Sequence, residues 1–199
     1  LSNQLPEFNA WFFSTVQFIF AGNDSEGLQY GTIGTQEKYF LKWKEDEQDN
    51  RRFKLDKYLL KMCAKNRLSE LMHDFVLFDG GMKKLPRVHQ YFGIKAAQDS
   101  TCQRKGGIIW HTQGSGKSLV MVLLAKWILE NNPHARVAIV TDRDELDKQI
   151  KRVFEDAGET IYRTTSGKDL MNQLAQPKPM LLCSLVHKFG CKGDNENDE

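Results

Sequence analysis

No C-x-x-C pair occurs among the four cysteines, at 63, 102, 183 and 191, and the five histidines stand apart. That spacing argues against a zinc site and a disulfide framework, and predicts free, buried thiols. No apolar run approaches the roughly 18 residues that a bilayer-spanning helix needs. The opening LSNQLPEF has neither the basic nor the apolar stretch of a secretory signal. A cytoplasmic protein is expected. Because the sequence opens on Leu1 rather than Met, a piece of a longer protein is expected as well. Charge of one sign is also lacking, since 28 Lys and Arg against 26 Asp and Glu leave a net +2. That is too little to argue for nucleic acid by itself, so any basic surface must be local.

What is present suffices for one domain or one and a half. The 199 residues are 40% hydrophobic and 27% charged, a globular balance. The run WFFSTVQFIFA is aromatic and β-branched, GNDSEG is a turn cluster, and LQYGTI resumes with strand character, which predicts a hairpin or sheet edge. QEKYFLKWKED has helical spacing and ends in EDEQDNRR, read as a solvated helix end or loop. Residues 54 to 64 and 66 to 77 repeat apolar side chains at helical period, a candidate helical pair bridging two domains. FDGGMKK is a break, and FVLFDGG is read as a helix end or linker. Pro86 fits the first turn of a helix over RVHQYFGIKAAQ.

From residue 107 strand and helix patterns alternate. GIIW, RVAIVT, TIYR and MLLCSLV read as short buried strands of a parallel sheet covered on both faces. Between them lie helices, one of them over 117 to 130. Asp142 with Glu145, and Ser166 with Asp169, have the spacing of capping boxes. The fold class expected is an open α/β sheet whose functional edge is at the carboxyl ends of its strands.

TQGSGKS falls at such an edge. Gly114 and Gly116 let the backbone turn its N–H groups inward on a phosphate, and the helix start adds a positive dipole end. Lys117 reaches β- and γ-phosphates, and the Ser118 hydroxyl binds Mg²⁺. The standard pattern G-x-x-x-x-G-K-[ST] wants glycine where His111 stands. The phosphate-facing positions are the later ones, so the departure leaves the cradle intact. Lys83, Lys84 and Arg87 form a small basic cluster just upstream, for phosphates or for solubility.

IIWHTQGSGKSLVMVLLAKWI resembles the ATP-binding segment of the restriction (R) subunit of type I restriction-modification enzymes, DNA-translocating motors of helicase superfamily 2. LPRVHQYFGIKAA is similar to the segment just upstream of that family's phosphate loop. VTDRDELDKQ and SLVHKF resemble two later motifs that face DNA in such motors. FNA, GTIG and FLKWKED resemble the connection between nuclease and motor. The resemblance implies ATP and Mg²⁺ as cofactors, with Lys117 catalytic. It places Arg87, Gln90, Thr112, Gln113, Gly114, Ser115, Gly116, Lys117 and Ser118 around the nucleotide, with Gln90 reading adenine and Ser118 on the metal. Thr141, Arg143, Ser184, His187 and Lys188 become DNA candidates. Asp142 stays a helix cap in either reading, and His187 stays open to a packing role.

The organisation implied is the end of an α/β nuclease region over 1–50, a helical linker over 51–84, and the N-terminal half of the first RecA-like (P-loop) motor domain over 85–199. The implied partners are double-stranded DNA and the methyltransferase and specificity subunits of a bacterial or archaeal complex, with no membrane. No Asp-X-Lys or Glu-X-Lys triplet occurs in the sequence. Metal-dependent cleavage of this type uses such a pair on one face of a strand. The cleaving residues are expected upstream of Leu1, and the acidic Mg²⁺ motif and the arginine finger downstream. Two alternatives stay open here: another superfamily 2 DNA or RNA helicase, or a phosphate-loop switch or kinase.

Overall fold

The computed structural model describes residues 11–45, 53–79 and 81–190. Most of the charge run EDEQDNRR, the FNA segment, Cys191 and the polar tail lie outside them. The chain forms two compact units, Leu1–Ala96 and Ala97–Glu199.

In the first unit, β1 (Ile19–Asn23), β2 (Gly27–Gly31) and β3 (Leu41–Lys42) make an antiparallel sheet in that order. The expected hairpin is therefore present, although residues 11–14 are helical rather than extended. Its turn is built by Asn23, whose Oδ1 accepts the Ser25 and Glu26 backbone N–H groups at 3.1 and 2.7 Å. Helices α1 (Lys54–Met62) and α2 (Lys65–Asp74) match the expected helical pair. α1 packs on the hairpin so closely that a Cβ on Gly22 would come within 2.7 Å of Leu55. FVLFDGG is a correction: Leu77–Asp79 (β4) and Met82–Lys84 (β5) form an antiparallel hairpin, not a helix end. Gly81, at φ +79°, belongs to the turn. QEKYFLKWKED is another: only Glu37–Tyr39 turns as a 3-10 segment, before β3. Tyr30, Trp43, Phe75 and Tyr91 are all buried, with ring centroids 4.8 to 5.7 Å apart. Tyr30 donates its hydroxyl to the Pro86 carbonyl, and Tyr91 donates to Glu70 at 2.8 Å. Burial, and then Glu70, push the Tyr91 phenol up to about 12. Helix α3 (Val88–Cys102) runs four residues past the expected end, and the division between the units falls within it.

The second unit is a mixed α/β structure around a small parallel sheet in the order β6 (Val137–Thr141), β8 (Leu181–Leu185), β7 (Tyr162–Arg163). Helices α4 (Lys117–Asn131), α5 (Asp144–Asp156) and α6 (Gly167–Ala175) surround it. All five residues of β8 are buried, as a central strand requires. β6 differs from the expectation of two covered faces, because Ala138 and Val140 are exposed. α4 buries Val120, Val122, Leu123 and Ala125, and its last turn is closed by Asn131 and Asn132, whose side-chain amides donate to Trp127 O and Ile128 O at 2.9 Å. Arg136 ties the entrance of β6 to the α6–β8 connection by donating to the carbonyls of Gln173, Leu174 and Pro179 at 2.8 to 3.2 Å.

Three expectations are corrected here. GIIW is not a strand: among the described residues no neighbour offers it a ladder, and Ile108 and Trp110 are 90% and 89% exposed. Asp142 does not cap α5. The N-cap residue is Arg143, with no side-chain cap bond, and the acidic first turn faces cations instead. Of the thiols among the described residues, only Cys183 is buried, while Cys63 is half-buried and Cys102 exposed; all three are free. Burial, and then the nearby Asp147, push the Cys183 thiol up to about 12. Ser166, by contrast, caps α6 as expected, its Oγ accepting Asp169 N at 3.1 Å. The return half of that box is shifted by one residue, because the Asp169 carboxylate accepts Thr165 N at 2.7 Å.

Candidate functional site: a phosphate loop at the start of a buried helix

Residues 111–116 form the loop that leads into α4. Gly114 has φ +75° and Gly116, the N-cap of α4, has φ +80° and ψ 39°. Both angles are left-handed, a region that costs other residues about 1–2 kcal/mol and glycine almost nothing. Nothing lies within 4 Å of a Cβ placed on Gly114, so glycine is required there by its backbone angle and not by crowding. Ser115, between them, is buried. No side chain caps the start of α4. The first N–H groups of a helix lack intrahelical partners, so this end suits an anion.

Lys117 closes the loop on itself. Its Nζ donates to the carbonyls of His111 at 3.3 Å and Thr112 at 3.0 Å. A non-glycine is compatible with this contact at position 111, because any residue supplies a main-chain oxygen. An ammonium has three donors, so two loop bonds leave one for a ligand. Ser118 is half-buried on the first turn of α4 and carries the only hydroxyl beside Lys117 in the sequence. Thr112 and Gln113 are exposed on the loop.

Arg87 and Gln90 belong to the first unit. Gln90 is 3% exposed, and its Oε1 accepts the Arg87 backbone N–H at 2.8 Å, so its amide caps the start of α3. Arg87 is exposed. Lys83, of the basic cluster, donates to Val16 O and Gln17 Oε1 at 3.1 and 2.9 Å.

The DNA candidates divide by exposure. Arg143 is exposed at the start of α5, 3.6 Å from Asp142, and His187 is exposed in the 3-10 segment Val186–Phe189. Lys188 donates to Thr164 O. Thr141 is buried at the end of β6, and its hydroxyl meets no partner among the described residues. Ser184 is wholly buried and accepts the Thr164 hydroxyl at 2.8 Å, so in this arrangement it offers no surface to a nucleic acid. The apolar pattern of MLLCSLV already marks a strand buried on both faces, which was the signal against Ser184.

Three ion-paired residues not expected from the sequence stand out here. Arg163 of β7 donates to Asp144 and Asp147 of α5 at once, and Asp147 is fully buried. The i, i+3 spacing of two aspartates on one helix face was the only sequence signal for them.

The SWI2/SNF2 ATPase family matches residues 89–199, which contain the loop, nearly all of α3 and the whole second unit. The chain belongs to the SWI2/SNF2 ATPase family. Membership of that family implies use of ATP. Among its relatives, the HindI type I restriction enzyme endonuclease subunit of Haemophilus influenzae is 31% identical over 176 residues, 76% of this chain and 16% of that protein. The MjaIXP type I endonuclease subunit named in Methanocaldococcus jannaschii is 30% identical over 155 residues, 72% of this chain and 15% of the relative. A Staphylococcus aureus type I endonuclease subunit, SauCOLORF180P, is 24% identical over 174 residues, 85% of this chain and 18% of the relative. This chain is thus homologous to a segment of type I endonuclease subunits, as the W-H-T-Q-G-S-G-K-S run implied, and spans 15% to 18% of their length. The kinase and switch alternatives have no support beside that match. No helix among the described residues is long and apolar enough to cross a membrane, and these relatives are bacterial and archaeal.

Proposed function

We propose that this SWI2/SNF2 segment is the ATP-binding part of a motor in a type I restriction endonuclease, which pulls double-stranded DNA past a specificity complex before cutting it. In this reading residues 1–50 are the end of a nuclease-type domain, 51–84 a helical linker, and 85–199 the N-terminal half of the first RecA-like motor domain. The partners are the methyltransferase and specificity subunits of the same complex, in the cytoplasm of a bacterium or archaeon. Hydrolysis and cleavage draw on residues outside this sequence.

The observation that carries the reading is the start of α4. There, two left-handed glycines, a lysine drawn over the loop by two carbonyls, and a helix end without a side-chain cap coincide. The loop's main-chain N–H groups and Lys117 hold the phosphates, and Lys117 offsets the charge that develops on the transferred group. Ser118 supplies one neutral oxygen to Mg²⁺. That donor set fits a small, hard cation that takes one or two protein ligands and completes its shell with phosphate oxygens and water. Mg²⁺ held by Ser118 would supply Lewis-acid charge neutralisation to the phosphates. Arg87 and Gln90 take the adenine end. The Gln90 carbonyl holds Arg87 N–H, which fixes the orientation of the amide at the start of α3. Arg143, Thr141, His187 and Lys188 line the DNA side.

The deciding experiment is ATPase activity of the full-length endonuclease subunit that contains this sequence, with and without its partner subunits and DNA. Stimulation by double-stranded DNA supports the motor. ATPase indifferent to DNA would sink it while leaving the nucleotide site in place.

A further inference from the structure

The start of α5 has an electrostatic problem if DNA passes there. Its first turn carries Asp144, Glu145 and Asp147, and Asp142 stands just before it. The dipole of a helix start favours an anion, but four carboxylates within six residues oppose one. The fold answers with Arg163, brought in from β7. Its Nε donates to Asp147 Oδ2 and an Nη donates to Asp144 Oδ1. The guanidinium is about three-quarters covered, at 28% side-chain exposure, and Asp147 is fully buried. Lys148 meets Asp144 at 2.5 Å and Arg143 meets Asp142 at 3.6 Å. With Arg163, three cations stand against four carboxylates. Without it, two would.

We propose that Arg163 is a positioning residue for DNA: its fork fixes the first turn of α5 against β7 and masks two carboxylates, so that the edge at Thr141 and Arg143 accepts a nucleic-acid phosphate. This rests on the reading of that edge as DNA-facing. Arginine suits the task and lysine does not, because a planar fork can reach carboxylates at i and i+3 together, whereas an ammonium is a point charge.

The test is DNA-stimulated ATPase of the full-length subunit with its partners, read as the half-saturating DNA concentration at low and at high salt. Arg163→Ala is expected to raise that concentration about three- to tenfold at low salt and less at high salt, as screening predicts. Turnover at saturating DNA and the KM for ATP should hold, a split that general loosening of the fold would not produce. Arg163→Lys should recover only part of the loss. Adding Asp144→Asn to Arg163→Ala should recover more, because it removes the uncovered charge. An unchanged DNA requirement in Arg163→Ala, or a change that ignores salt, overturns the proposal. Should Arg163→Ala fail to fold, Arg163→Lys alone decides: it keeps the charge and loses the fork, and should raise the half-saturating DNA about twofold at low salt, and no change overturns the proposal. Arg143→Ala separates the two levels. If it leaves the DNA requirement unchanged, the DNA-facing reading itself fails. If it raises the requirement and Arg163→Ala does not, only the masking role fails.

Discussion

Two helix starts in the second unit follow from similar-looking sequence and are built in opposite ways. At α6, Ser166 takes the Asp169 N–H, while Asp169 gathers Thr165, Tyr162 and Gln173 around its carboxylate at 2.7 to 3.3 Å. The polar groups of that end are used up internally. At α4 the N-cap is a glycine with no side chain to offer, and the nearest cation is held by the loop's own carbonyls. One end is closed by its own side chains; the other, in the proposed reading, is left for a phosphate. The difference teaches that the functional helix start is the one whose local capping chemistry has been left out.

The comparison can be broken most severely at Lys117. Lys117→Ala should cut ATPase of the full-length subunit by about a hundredfold or more, while thermal unfolding stays unchanged. Retained turnover would remove α4 from its role. A smaller effect is expected at Gly116, whose left-handed backbone resists a side chain. Gly116→Ala costs about 1–2 kcal/mol of loop geometry, or roughly tenfold in ATP affinity measured by titration. Ser166→Ala should do the reverse, costing about 1 kcal/mol of stability in denaturant unfolding with ATP affinity untouched. The smallest effect concerns pH. Hydrogen bonding, first of all from Thr165 N, holds the Asp169 carboxyl below the usual carboxylate range. Its stabilising contribution is therefore full above the unfolded value of about 3.9 and disappears as pH falls through the lower folded value. Asp169→Asn should destabilise at neutral pH and converge with the native protein below about pH 4, read from unfolding midpoints across pH.

Much of this was legible in the residues themselves. Val137–Thr141, Leu181–Leu185 and the buried helix after GSGKS announce themselves by continuous apolar character, and Ser166 by the residue that a cap needs. What escaped depends on partners distant in sequence. Asp142 with Glu145 has the spacing of a capping box on paper. In the structure Arg163, nineteen positions beyond Asp144, pairs with the acidic turn, and Arg143 stands at the helix boundary. GIIW has strand composition, but a strand exists only through hydrogen bonds to a neighbour. FVLFDGG failed for the opposite reason: three residues on either side of a glycine turn pair with each other, and so short a run carries no period to read. The Lys117 contacts escaped too, because main-chain oxygens leave no letter in a sequence.

The exposed Trp110 has a practical consequence. It is 89% exposed and bonded directly to His111, whose carbonyl holds the phosphate-loop lysine, while Trp43, at 1%, is sealed in the other unit. An indole so placed emits as if in water, so any event that covers the mouth of the loop should shift its emission to shorter wavelength. With the exposed Trp11 and the half-buried Trp127 replaced, the chain would carry an intrinsic optical reporter one residue from its phosphate loop, and stopped-flow traces of loop engagement would need no added label.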